Sequence, residues 1–301
     1  MTESDDHILA LLAQDGRIPT RTIAEAIGVS EPTAAARVRA LEASGAVRIV
    51  LKQKALHDLP SGALFKAELF LEDRTALDAV AQGLMSRPGI IAAYKTASLP
   101  EIIVTCVVPH IREAGAYFEE LAGALPGLAR VDTAMIFSAR HQRPWLHNLG
   151  MPERVALDDP DPLRAALRRD ARQPASAIAR ALGIPEATAR QRTRRLLDAP
   201  GHRVVAMRDA TANGYSIWAD IQLTVAPAHV ATTFARMEAV EDIVMIAHVS
   251  GERNISLFVA AASVDSLDHF VSRDVRSLPG LRSFRMLRVT DVITTDYSVD
   301  F

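Results

Sequence analysis

Residues 20–50, TRTIAEAIGVSEPTAAARVRALEASGAVRIV, decide the reading of this chain. Their apolar spacing predicts a helix, a tight turn, a second helix and a strand. Thr20 stands where a helix N-cap belongs, with Ile23, Ala24 and Ile27 turned inward. Gly28 supplies the left-handed residue that ends the first helix. Ser30 caps the next one, and Pro32 falls in its first turn, where a missing N–H costs little. Ala34, Val38 and Leu41 form the core stripe of that helix, and Gly45 closes it. Val47–Leu51 reads as a strand, with Lys52 and Lys54 following as a wing would. Together with an opening helix over residues 5–13, these elements predict a winged helix-turn-helix. The same pattern returns at Ala175–Val205, ASAIARALGIPEATARQRTRRLLDAPGHRVV, ungapped. Ile23 then pairs with Ile178, Gly28 with Gly183, Thr33 with Thr188, Arg37 with Arg192 and Arg48 with Arg203.

Working outward, the chain of 301 residues is 49% hydrophobic, enough for several packed cores. No apolar run reaches the roughly 18 residues of a membrane span, and MTESDDHILA lacks a signal-peptide pattern. A single Cys106 excludes a disulfide framework and a multi-cysteine metal site, and suits a reducing cytoplasm. The net charge is −2, but its distribution is uneven. Residues 164–208 hold eleven Arg against Asp170, Glu186 and Asp198, whereas residues 9–53 hold six basic and four acidic residues. A local basic patch on a near-neutral chain is what a DNA-contacting module presents, the bland alternative being a solvated arginine-rich face.

Between and after these stretches the period changes. LFKAELFL from Leu64, a helix over 74–87, strands GIIAAYKTA and EIIVTCVV, a helix over 111–125 and a strand over 128–139 give the order βαββαβ. That order specifies a ferredoxin-like sandwich with helices on one face of an antiparallel sheet. The set recurs over 216–295. The expected class is therefore α+β: two winged helix-turn-helix domains (1–56 and 159–210) alternate with two ferredoxin-like domains (62–140 and 214–301). Residues 141–158 form a linker that carries Trp145. The whole reads as a tandem duplication of a two-domain unit.

These residues resemble the Lrp/AsnC family of transcription regulators. The family pattern D-x-x-I-L-x-x-L is present at Asp5–Leu12, I-A-x-x-(L/I)-G-(V/L)-S at Ile23–Ser30, and R-V-x-x-L-E-x-x-G-(V/A)-(I/V) at Arg37–Val47. The resemblance implies that the βαββαβ domains sense a small molecule and dimerise. It also implies that the loop between their second and third strands, similar to T-G-x-x-D, binds an effector such as an amino acid. The second copy has Ser250, Gly251, Glu252, Arg253 and Asn254 there; the first has Ser98 and Glu101 but no glycine. His248, just before the second loop, joins these candidates, its ordinary alternative being a hydrogen-bonded strand histidine.

Helical geometry nominates the DNA readers, because the second helix of the motif lies in the major groove. With Val38 inward, Thr33, Ala36 and Ala40 point out, flanked by Arg37 and Arg39. With Thr193 inward, Thr188, Gln191 and Arg195 point out, flanked by Arg192 and Arg194. Gln suits adenine and Arg suits guanine through paired hydrogen bonds. Arg37, Arg39, Arg48, Lys52, Arg190 and Arg203 are the phosphate-contact candidates, each with an internal salt bridge as its alternative.

No G-x-S-x-G, phosphate-binding glycine loop or metal-ligand spacing occurs, and Cys106 sits in an apolar strand as a core thiol. The expected function is sequence-specific binding of double-stranded DNA by a non-enzymatic regulator without a cofactor. One chain imitates a dimer, answers to a small-molecule effector and assembles into a homo-oligomer. The alternative is a siroheme decarboxylase-like enzyme, since such enzymes also look like duplicated Lrp/AsnC units; His248 and Arg253 would serve it.

Overall fold

The computed structural model describes residues 2–56, 59–141, 146–147, 161–240, 242–296 and 299–300; most of the expected linker, Trp145 included, lies outside them. The chain begins with α1 (Glu3–Gln14), α2 (Thr20–Ile27), α3 (Glu31–Ala43) and β1 (Val47–Lys54). Thr2 and Asp5 cap α1 reciprocally, each side chain bonding the other's backbone N–H. Ser30 Oγ accepts the Thr33 N–H and caps α3 as expected, and Gly28 takes φ +68° to end α2. Thr20 does not cap α2. That helix starts at Thr20 itself, Pro19 holds the cap position, and no side-chain bond closes it.

The first ferredoxin-like set is β2 (Ala63–Leu71), α4 (Leu77–Met85), β3 (Ile90–Thr96), β4 (Ile102–Val108), α5 (Ala114–Ala124) and β5 (Leu128–His141). After the short β6 (Leu146–His147) come α6 (Pro162–Arg169), α7 (Ala175–Leu182), α8 (Glu186–Asp198) and β7 (His202–Asp209). Pro185 replaces the serine cap on α8, so that helix lacks a side-chain cap, while Gly183 repeats the left-handed turn at φ +65°. The second set is β8 (Ile217–Val225), α9 (Val230–Met237), β9 (Ile243–Val249), β10 (Ile255–Ala261), α10 (Val264–Phe270) and β11 (Leu281–Thr295). A last strand, β12 (Val299–Asp300), follows.

Strand pairings in two places, the heads and the barrel, join the halves. In the heads, β1 does not fold back as half of a wing; it runs antiparallel to β7, with Val47 opposite Arg208 and Gln53 opposite His202. Each head packs on this common ribbon. Ile8, Leu9 and Leu12 of α1 share a core with Val47 of β1 and Ala206 of β7. Leu163 and Leu167 of α6 share one with Leu51 of β1 and Val204 of β7. Burying an aliphatic side chain contributes about 1.5–3 kcal/mol, so these contacts hold the heads to the ribbon as firmly as a domain core.

In the other half of the molecule, each βαββαβ set forms a sheet in the order β3-β4-β2-β5 or β9-β10-β8-β11. Edge strand β5 pairs with β9, and β11 with β3, so the two sheets close into one eight-stranded barrel. Closure removes the exposed sheet edges that invite aggregation. The helices lie outside. Ala67, Leu69, Val104 and Cys106 face α4 and α5, while Ile221, Leu223 and Leu257 face α9 and α10. Strand alternation then turns Lys66, Glu68, Asp220, Gln222 and Ser256 into the barrel. β12 leaves the barrel and pairs parallel with β1, adding a strand to the head ribbon.

Candidate nucleic-acid interface and ligand cleft

The heads are fastened to each other reciprocally. Arg17 donates to the carbonyls of Ala171 (2.6 Å) and Gln173 (3.3 Å) in the second head, and Arg172 donates to the Ile18 carbonyl in the first (3.4 Å). Burial, and then the neighbouring Arg172 charge, lowers the Arg17 guanidinium below its ordinary value. The Gly16 N–H donates to the Val204 carbonyl, and Arg208 pairs with Asp6 at 2.8 Å. Part of the arginine excess in residues 164–208 therefore serves the joint between the heads.

On α3, Val38, Ala34 and Leu41 are buried as expected, and Thr33, Ala36 and Arg39 are exposed. The Thr33 hydroxyl is engaged with Ser30 Oγ at 2.8 Å, so it belongs to the cap as well as to the outer face. Arg37 is half-buried and close to Asp5. The Asp5 carboxyl is held below its ordinary value first by the Thr2 backbone N–H and more weakly by Arg37. On α8, Ala189 and Thr193 are buried; Gln191, Arg192 and Arg195 are exposed and Thr188 is half-buried. Arg190 pairs with Glu186 (2.7 Å) and Arg194 with Asp198 (3.3 Å). Exposed pairs of this kind contribute about 0.2–1 kcal/mol, so a phosphate can displace the acid at little cost. Arg48 and Arg203 are exposed on the ribbon. Lys52 is the exception: at 0% exposure it is fully buried, and the expectation that it reaches a phosphate is withdrawn. It alternates with Leu51, which faces the second head, so Lys52 lies with Val50 on the other face of the ribbon, and that face is covered too.

The two β-strand loops differ. In the first, Glu101 is 4% exposed and its carboxylate accepts the Leu71 N–H at 3.2 Å. Ser98 is exposed, its carbonyl accepting the Thr96 hydroxyl at 2.7 Å. In the second, Asn254 bonds the Val225 N–H (3.0 Å) and carbonyl (2.8 Å), in the role Glu101 plays for Leu71. Ser250 exchanges two 2.8 Å bonds with the backbone of Met135 on β5. Glu101, Asn254 and Ser250 are thus loop clamps. Gly251, Glu252 and Arg253 remain, and with Ser250 they line a cleft whose floor is Lys66, Glu68, Gln222 and Ser256. His248 stands edge-on to the Phe137 ring at 5.2 Å, beside the loop and outside the cleft lining.

Sequence reading missed the barrel interior. Lys66 Nζ donates to both Asp220 carboxylate oxygens (2.6 Å) and to Ser256 Oγ (2.8 Å). Gln222 Nε2 donates to Asp220 and Glu68 (2.7 Å each), and Arg285 bonds Glu68 and Gln222. The only advance signal was a lysine and three further polar residues at alternate positions in otherwise apolar strands. Among the described residues, no group of three or more His, Cys, Asp or Glu could hold a metal, and no helix is long and apolar enough to cross a membrane.

Comparison with known proteins places these features. Residues 1–42 match the AsnC-type helix-turn-helix domain, and residues 219–299 match the Lrp/AsnC ligand binding domain. An uncharacterized HTH-type transcriptional regulator of Pyrococcus abyssi is 28% identical over 149 residues, covering 48% of this chain and 93% of the relative. The HTH-type transcriptional regulator FL11 of Pyrococcus horikoshii is 25% identical over 145 residues, 47% of this chain and 93% of the relative. In fold, the chain is similar to the siroheme decarboxylase NirDL, with a TM-score of 0.67 at 14% identity over 98% of this chain and 93% of that one.

Proposed function

We propose that this chain is a sequence-specific, double-stranded-DNA-binding transcription regulator of Lrp/AsnC type that works in the cytoplasm without catalysis. In this reading it is a single-chain pseudo-dimer, descended from a tandem duplication, and it answers to a small effector such as an amino acid. The observation that carries the reading is the exposed row Gln191, Arg192 and Arg195 on α8. That row sits on a head built in the same element order as the AsnC-type head at residues 1–42. The duplication is supported by the match lengths: about half of this chain accounts for nearly all of a relative. The effector site is the cleft of Gly251, Glu252 and Arg253, where a charged residue of each sign suits a zwitterion. Because the heads share β1 and β7, an effector acts by tilting the head pair against the barrel, not by changing the distance between the heads. Further pairing of whole chains accompanies this reading.

The test is recovery of bound fragments from sheared genomic DNA, with and without amino acids. A shared motif that changes in occupancy with one amino acid supports the reading; featureless, purely salt-dependent binding sinks it.

The second reading, a siroheme decarboxylase-like enzyme, is favoured by the whole-chain likeness in fold to NirDL. Its two candidate residues do not converge here, since Arg253 lines the cleft and His248 lies against Phe137. Incubation with siroheme should leave its absorbance unchanged; a spectral shift followed by loss of carboxylates would make the enzyme reading the better one.

A further inference from the structure

An eight-stranded barrel has an interior just wide enough to be filled by side chains or to hold one small ligand. This interior is not filled. A cavity of about 80 Å³ that opens to solvent lies at the end of the barrel nearer the heads. One wall is a run of stacked rings: Tyr94 lies 4.9 Å from Phe258 at an interplanar angle of 30°, and Trp218 lies 5.4 Å from Phe258 at 29°. The facing wall is aliphatic, from Ile91, Ile136, Ala247 and Val249. The floor is the Lys66–Asp220–Ser256 cluster, with Lys66 8% and Asp220 3% exposed. Ala92, His141, Asp296 and Val299 also line it.

We infer that this cavity is a second small-molecule site, separate from the loop cleft, for a flat aromatic or heteroaromatic compound without net charge. Three stacked rings beside an aliphatic wall offer a slot for a planar π-system, and ring–ring packing adds to simple area burial. The charges on the floor cancel, since the Lys66 ammonium is already held by Asp220. An anion therefore finds no unengaged lysine and meets Asp296 as well. Lys66, Ser256 and Gln222 already occupy the Asp220 oxygens, so a hydroxyl or ring N–H finds its acceptor in Ser256 Oγ. A buried ion pair is seldom kept for stability alone, because apolar residues of the same volume do as well. A polar floor that orients a ligand accounts for it here. Lys66 and Ser256 also belong to the loop cleft, so the two spaces meet at this cluster. The site stands whether or not the heads bind DNA.

The probe is 2-naphthol, titrated calorimetrically into the full chain, with naphthalene-2,6-disulfonate as the charged control. Saturable 1:1 binding of 2-naphthol but not of the disulfonate is expected. Ala92→Phe, which puts a ring into the cavity, should weaken binding by about tenfold or more, that is about 1.4 kcal/mol or more. Arg253→Ala, in the loop cleft, should leave binding within about twofold of the parent. Should Ala92→Phe fail to fold, Phe258→Leu serves instead, with about three- to tenfold weaker binding expected from the lost ring contact. No saturable heat, preference for the disulfonate, or affinity indifferent to both cavity substitutions would overturn the site.

Discussion

Lys66 Nζ lies 2.6 Å from both carboxylate oxygens of Asp220, a residue 154 positions further along the chain. The two occupy matching places on β2 and β8, as do Glu68 and Gln222. Two identical chains paired in this way would set lysine against lysine. A Lys–Asp pair needs the halves to differ, which a single chain guarantees. Removing one partner strands a buried charge, so Lys66→Met or Asp220→Asn alone should cost about 3–5 kcal/mol. Lys66→Met with Asp220→Leu should recover most of the loss. Urea denaturation measures both, and single variants within about 1 kcal/mol of the parent would show that solvent reaches the pair.

Gly16 is where the first head touches β7. A Cβ there would stand 2.8 Å from Val204 Cγ1, 2.9 Å from Ile49 Cγ2 and 3.0 Å from the Val205 nitrogen. Two of these are β-branched side chains in the ribbon and the third is backbone, so none can swing aside. Gly16→Ala should destabilise the joint by about 1–3 kcal/mol through overpacking, and Gly16→Val by more. Amide hydrogen exchange would place the loosening in residues 2–54 and 161–209 while the barrel strands stay protected. Equal loosening of both parts would mean that the heads and barrel unfold as one unit.

In the proposed DNA-binding reading, Arg195 and Arg190 would make two kinds of contact. Arg195→Ala should cost about 1–3 kcal/mol on the preferred sequence and relax the preference at one position. Arg190→Ala should weaken all sequences alike and reduce the slope of log affinity against log salt by about one. Fluorescence anisotropy across a salt series distinguishes them. Identical behaviour of the two variants would contradict the placement of α8 in the groove.

Alkaline pH should destabilise the barrel in a defined window. Burial pushes the Cys106 thiol from 9.0 to about 12 and the Tyr94 phenol from 10.0 to about 12. The unfolded chain releases these protons at the lower values and the native chain holds them. The native state thus binds more protons between about pH 9 and 12, and its stability falls as pH rises through that range. Cys106→Ala and Tyr94→Phe together should flatten the decline. In the parent, Cys106 should resist thiol reagents at pH 8 until the barrel unfolds. Prompt labelling of the native protein would show the thiol to be reachable.

The element order was legible because each piece carries a local signal. The left-handed glycines at 28 and 183, the Ser30 cap and the strand alternation on β2 and β8 all follow from neighbours in sequence. The pairings were not legible, because a strand pattern does not name its partner. Val47–Lys54 reads as a strand in any fold; only the closed structure shows it against β7. That one unknown also misplaced Lys52, since a lysine is assigned to solvent by default. Thr20 has the right side chain for a cap, but the turn puts Pro19 in the cap position instead. In the loops the residue types were read as ligand contacts, whereas Glu101 and Asn254 spend their polar atoms on the backbone of Leu71 and Val225. The Lys66 cluster joins residues from both halves, and nothing local brings those together.

The common β1–β7 ribbon has a directional consequence. α3 presents small side chains where α8 presents Gln191 and Arg195, and the ribbon sets the phase between the two helices. Such a protein can match an unlike pair of half-sites in one sense only. Its binding sequence should therefore not be a palindrome, and inverting the sequence should turn the whole molecule end for end on the duplex. A two-chain dimer sits on its site the same way in either direction. Under the proposed reading this chain has a front and a back, so its barrel and loop cleft would face a chosen side of the transcription start.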